Sequence, residues 1–137
     1  YRLTDNPSDF RAEDEYISVI FPKHAEYRII FFFGKFCCLY KKVVDDNLKK
    51  QPEAAWNHAQ GSSFITINWE GSNISHHYPN FIQQLETIPY IQHSHLCGID
   101  ILWKSPILKV CEINFSPGIT IDGTFEKIKE IYSHVQS

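Results

Sequence analysis

Glu112 and Asn114 stand two positions apart in a largely apolar run, Leu108–Phe115, that stops at Ser116-Pro117-Gly118. Residues two apart in a strand share a face, so a carboxylate and a carboxamide project together just before a turn. Upstream, Gly98–Trp103 (GIDILW) reads as the partner strand, joined by a turn at Lys104–Ile107. With that turn centred on Ser105-Pro106, Asp100 falls opposite Cys111 or Glu112. Like charges opposed on a sheet destabilise it, and half-buried ones more so. A divalent cation removes that cost, and Mg²⁺ takes one or two carboxylates plus phosphate and water oxygens. Asp100, Glu112 and Asn114 therefore read as a metal-binding trio, the more so because Asp and Asn are depleted in strands. Taken singly, each reads better as a polar residue meeting water. Ser116-Pro117-Gly118 lets the backbone turn away beside the site, or simply ends a strand.

A complementary puzzle lies earlier. Glu26–Tyr40 (EYRIIFFFGKFCCLY) is two apolar runs around Gly34-Lys35, a hairpin pattern. A two-residue turn there pairs Phe33 with Phe36 and hence Arg28 with Lys41; a one-residue slip pairs Arg28 with Lys42. Opposed cations call for an anion between them. A bound phosphate or carboxylate suits the arginine fork, and Glu26, two residues away, is the alternative. One hairpin offering cations and another offering metal-binding oxygens would equip the chain for a nucleoside triphosphate with Mg²⁺, whose chemistry needs mainly positioning and charge neutralisation. No GxxxxGK[ST] phosphate loop is present.

The elements that must position these residues fit one domain of 137 residues. Hydrophobic residues are 43% and aromatics 15%, with ten Phe and seven Tyr, which favours strands. Further strands are expected at Glu15–Phe21 and Ser62–Trp69, and a long polar loop, with room for one helical turn, over residues 41–61. A helix is expected within Pro79–His95, ended or kinked by Pro89, and a C-terminal amphipathic helix over Thr124–Val135. The fold class is α+β, an antiparallel sheet with flanking helices. A net charge of −3 gives no basic footprint for nucleic acid, and the apolar runs are too short for a membrane-spanning helix. The four cysteines, Cys37, Cys38, Cys97 and Cys111, have neither zinc spacing nor an obvious disulfide framework, and read as buried free thiols. His76-His77 and His93-x-His95 read as surface histidines, a Cys97–His95 nucleophile pair lacks an orienting third group, and the FFFGKF aromatics read as core.

HAEYRIIFFFGKF (24–36), WNHAQGSSF (56–64) and GIDILWKSPILKVCEINFSPGI (98–119) together resemble the C-terminal portion of an ATP-grasp ligase, nearest to the glutamate ligases that modify a ribosomal protein and to phage-encoded carboxylate–amine ligases. The resemblance runs from about Glu15 to the C-terminal helix, and Asp100, Glu112 and Asn114 before Ser-Pro-Gly are its most specific part. It implies that this trio holds Mg²⁺ (or Mn²⁺) on the ATP phosphates. It further implies that Arg28 binds the γ-phosphate or the substrate carboxylate, that Lys41 or Lys42 lines the same pocket, that Glu15, Tyr16 and Ile17 meet adenine, and that Asn57 orients phosphate or metal. Such enzymes phosphorylate a carboxylate with ATP and let an amine attack the acyl phosphate. The expected partners are those two substrates, and the expected location, from ATP use and the lack of a visible signal peptide, is the cytoplasm. The family's upstream subdomain, with its phosphate-binding lysine and glycine-rich lid, is not in this sequence. Asp45 and Asp46 follow Lys41 and Lys42 where the family is more basic, and Pro89 breaks a helix that normally runs on. With no methionine and a start at Tyr1, the expectation is a fragment, a subunit completed by a partner, or a degenerate copy serving as a non-catalytic binding or assembly module.

Overall fold

The computed structural model describes residues 21–52, 63–115, 117, 126, 128–130 and 133. Its centre is a five-stranded sheet of order β3-β2-β1-β4-β5, from β1 (Ala25–Phe32), β2 (Lys35–Val43), β3 (Ser63–Ile67), β4 (Leu96–Lys104) and β5 (Ile107–Asn114). Every neighbouring pair is antiparallel. The α+β class is as expected.

The β1–β2 turn differs from its expected place. Its two loop residues are Phe33 and Gly34, both at positive φ (50° and 75°), so Phe32 pairs with Lys35. That left-handed pair matches the twist of a tight hairpin. Phe33 is held there by its N–H to the His95 carbonyl (2.9 Å) and by ring contact with His95. Gly34 is required twice over, since a Cβ would also meet the Gln92 backbone at 3.0 Å. A bulge between Ile30 and Phe31 then resets the register, and Arg28 lies opposite Tyr40 rather than Lys41 or Lys42. The Phe36 N–H beside this bulge donates to Glu86 (3.2 Å).

β2 runs on to Val43, three residues into the expected loop, and α1 (Asp46–Lys49) is the single helical turn that the loop reading allowed. Between β3 and β4 lie α2 (Asn73–His77), α3 (Phe81–Glu86) and α4 (Pro89–Gln92). Ser72 starts α2 by accepting the Ser75 N–H (3.1 Å), a side-chain N-cap the sequence reading did not foresee. Pro89 does break the expected helix: it stands in the first turn of α4, where its missing N–H costs nothing.

These helices cover one face of the sheet. Ile74, Ile82, Leu85 and Ile91 pack with Tyr27, Ile29, Phe31, Leu39, Ile99 and Ile101 in the main core. A smaller cluster of Ile30, Cys37, Cys38 and Tyr40 lies under Phe64, Leu96 and Ile128, and residues 126, 128–130 and 133 are helical. Cys37, Cys38 and Cys97 are buried free thiols, whereas Cys111 is exposed. No helix among the described residues is long and apolar enough to cross a membrane. The expected Glu15–Phe21 strand lies, but for Phe21, outside the described residues, as does most of Thr124–Val135.

Candidate functional site

The site is one row of side chains across the face of the sheet opposite α2–α4, on which Tyr40 is buried and Arg28 and Asp100 are partly exposed. Thr66, Tyr40, Arg28, Asp100 and Glu112 are consecutive register partners through five strands. Antiparallel partners share a face, so these side chains line up. Asp100 opposes Glu112, one of the two partners its turn allowed, and a bulge after Asp100 leaves Cys111 as the extra residue of β5. Asn114, opposite Gly98, follows Glu112 on the same face.

Arg28 grips Asp100 through two parallel hydrogen bonds, Nε to Oδ1 at 2.6 Å and Nη2 to Oδ2 at 3.0 Å. Both side chains are partly shielded, at 19% and 25% exposed. The hydrogen bond to Asp100 pushes the Arg28 pKa up, against the opposing effect of burial, with further support from the charges of Asp100, Glu112 and Glu26. Lys42 sits nearby with Glu26 (2.7 Å), and Lys23 reaches the other Glu26 oxygen (3.2 Å). Phe64 lies beneath both cations, its ring centre 4.7 Å from the Arg28 guanidinium carbon and 5.2 Å from Lys42 Nζ. A cation above an aromatic face is held electrostatically, so Phe64 helps fix the direction of both.

The structure thus answers both sequence puzzles differently from their first statement. The cations of the first hairpin do not face each other. Arg28 is matched by Asp100 from the second hairpin, and Lys42 by Glu26, the alternative anion. Lys41 is on the reverse face, opposite Tyr27 and Ile65, and does not share the Arg28 row. Glu15, Tyr16, Ile17 and Asn57 lie outside the described residues. Phe64 was missed. Its only signal was alternation in SFITI, which marks a face but not which residue lies across from it.

Of Ser116-Pro117-Gly118, only Pro117 lies within the described residues. Pro117 is buried against Gly98: a Cβ on Gly98 would lie 2.8 Å from Pro117 Cβ. Pro117 thus rests against β4 beside the row, and Gly98 is the residue that leaves it room.

Among the described residues no group of three or more His, Cys, Asp or Glu is placed to hold a metal. The donor set that is present, two opposed carboxylates and a neighbouring carboxamide, is what Mg²⁺ accepts when phosphate and water complete its shell, so the residues fit that ion. His76, His77, His93 and His95 are all exposed, and the His77 ring lies against Trp103 (5.2 Å).

No protein-family model matches the sequence, and no curated protein sequence does. Among solved structures, the fold is similar to D-alanine–D-alanine ligase from Bacillus anthracis, with TM-score 0.50 and 17% identity over 82% of this chain and 36% of that one. An ATP-grasp ligase, PsnB, solved with a phosphomimetic variant of its minimal precursor, Mg and ADP, gives TM-score 0.47 and 13% identity over 82% of this chain and 34% of that one. The chain therefore spans about a third of the length of these neighbours. What the first likeness shows is the fold: a five-stranded antiparallel sheet with helices on one face, of the kind found in a ligase.

Proposed function

We propose that the face of this sheet opposite α2–α4 is the Mg²⁺- and ATP-binding part of an ATP-grasp carboxylate–amine ligase, which forms an amide through an acyl phosphate and releases ADP and phosphate. The observation that carries the reading is the row Arg28–Asp100–Glu112. It sets a forked cation beside two carboxylates in fixed register on the face opposite α2–α4, where Arg28 and Asp100 stay partly exposed. The ligase-like fold supports it.

In this reading Asp100, Glu112 and Asn114 hold Mg²⁺, which when bound neutralises charge on the ATP phosphates. Arg28 orients an oxyanion, either the γ-phosphate or the substrate carboxylate, with the two-pronged geometry it already uses on Asp100. The Arg28–Asp100 pair is then the resting arrangement, which keeps both groups charged until an anion takes Arg28. Lys42 adds positive charge on the same face, and Phe64 keeps both cations aimed. A substrate carboxylate oxygen attacks the γ-phosphorus, ADP leaves, and the amine nitrogen attacks the acyl carbon. It loses a proton as phosphate departs. The rest of the clasp around ATP would come from further polypeptide or from a partner subunit. Its carboxylate and amine remain defined by class alone.

Calorimetric titration of the full-length native protein with Mg²⁺-ATP, beside Asp100→Ala/Glu112→Ala, tests this. Saturable binding that vanishes in the double variant supports the ligase reading. No binding by the intact protein sinks it and leaves a non-catalytic assembly module.

A further inference from the structure

The reverse face holds a cation that the charged row does not use. Arg28 and Lys42 each have a carboxylate within 3 Å. Lys41, between them in register and pointing the other way, is half-buried, and no ion pair or side-chain hydrogen bond joins it among the described residues. It lines a cleft of about 250 Å³ with Tyr27, Ile67, Asn68, Gly71, Ser72 and Asn73. Tyr27, its register partner, is only 3% exposed. Its hydroxyl likewise has no hydrogen-bond partner among the described residues, and burial alone pushes its pKa up. Tyr27 lines the same cleft, so a ligand seated there can accept the hydrogen bond its hydroxyl has to give. The wall facing these groups is built. Asn68 accepts the Glu70 N–H (3.1 Å), and Ser72 both donates to the Trp69 carbonyl (2.6 Å) and caps α2, so the turn is rigid.

We propose that this cleft binds a small oxyanion, a carboxylate or a phosphate, with Lys41 as counter-charge and the Tyr27 hydroxyl and the Asn73 carboxamide as donors. An ammonium, a phenol and a carboxamide around a cleft of this size suit one charged group and little more. The site is separated from the nucleotide row by the thickness of the sheet, so its occupant is not the reacting group. It is a second ligand, and its binding does not depend on the ligase reading.

The test is a ¹H–¹⁵N NMR titration of the full-length chain with inorganic phosphate, and separately with acetate, at constant ionic strength. The expected result is saturable shifts of the Gly71, Ser72 and Asn73 amides with one of the two anions. Affinity should fall about tenfold or more in Lys41→Gln, fall less in Tyr27→Phe, and persist in Lys41→Arg and Lys42→Gln. Phosphate saturating where acetate does not identifies a phosphoryl ligand, and the reverse a carboxylate. Linear, unsaturated shifts that survive Lys41→Gln, or loss of binding in Lys42→Gln instead, would overturn the proposal. Tyr27→Phe, which removes one oxygen only, keeps the test valid if Lys41→Gln does not fold.

Discussion

Along β1 the residues alternate between two environments. Tyr27, Ile29 and Phe31 are at most 3% exposed and face α2–α4, while Glu26 and Arg28 face the other side with ionic partners, next to Ile30, which is buried in the smaller cluster. Both faces come from the same strands, so the difference is one of cover. Helices α2–α4 supply apolar side chains to one side, and the other must satisfy its charges within the sheet. It does so by matching strands from different hairpins: Arg28 of the first meets Asp100 of the second, with Glu112 next in line. A face organised in this way keeps strong charges in place and within reach of an incoming anion or metal.

The largest effect should come from the covered face. Ile29→Ala is expected to cost about 2–5 kcal/mol, because a fully buried side chain leaves a cavity. Urea unfolding of the full chain measures it, and a loss no larger than that from Arg28→Ala would break the contrast between the faces.

Next comes Gly98, which sits under Pro117. Gly98→Ala should cost about 1–3 kcal/mol by overpacking. Adding Pro117→Gly should recover part of that. A Gly98→Ala protein with an unchanged unfolding midpoint would mean that Pro117 does not rest there.

On the opposite face, a double-mutant cycle of Arg28→Ala and Asp100→Ala should give a coupling of about 1 kcal/mol, smaller at high salt because both groups are partly solvated. Strict additivity of the two single variants would show that the pair does not organise the face.

The smallest expected effect concerns Cys111, the one exposed thiol of the four. Partial desolvation raises its pKa first, then the negative charges of Asp100, Glu26 and Glu112. A raised pKa means less thiolate at a given pH, so iodoacetamide should alkylate it a few-fold more slowly than a free thiol at pH 8, roughly following thiolate content. Asp100→Asn/Glu112→Gln should speed the reaction, and equal rates in both proteins would detach Cys111 from the acidic row.

Much of this was legible in the residues. The alternation of GIDILW and the following run, with the turn at Ser105-Pro106, placed Asp100 opposite Cys111 or Glu112, and the bulge after Asp100 decided for Glu112. Pro89 announced its own break by lacking an N–H. Local rules reach as far as a hairpin, and α2 escaped because a five-residue helix leaves no periodic signal.

What lay beyond that reach was face and neighbour. Gly34-Lys35 looked like the turn, yet Phe33-Gly34 is, and a bulge then shifts the register again. A one-residue shift moves every side chain to the other side of a sheet, which is why Lys41 belongs to the reverse face and Arg28 opposes Tyr40. Sequence determined that this chain has two hairpins, one carrying Arg28, Lys41 and Lys42 and the other Asp100 and Glu112. Only the tertiary structure decided that β1 and β4 lie side by side, because pairing between strands so far apart is set by packing of the whole core and not by any local pattern. That pairing turns two separate electrostatic problems into one row of matched charge.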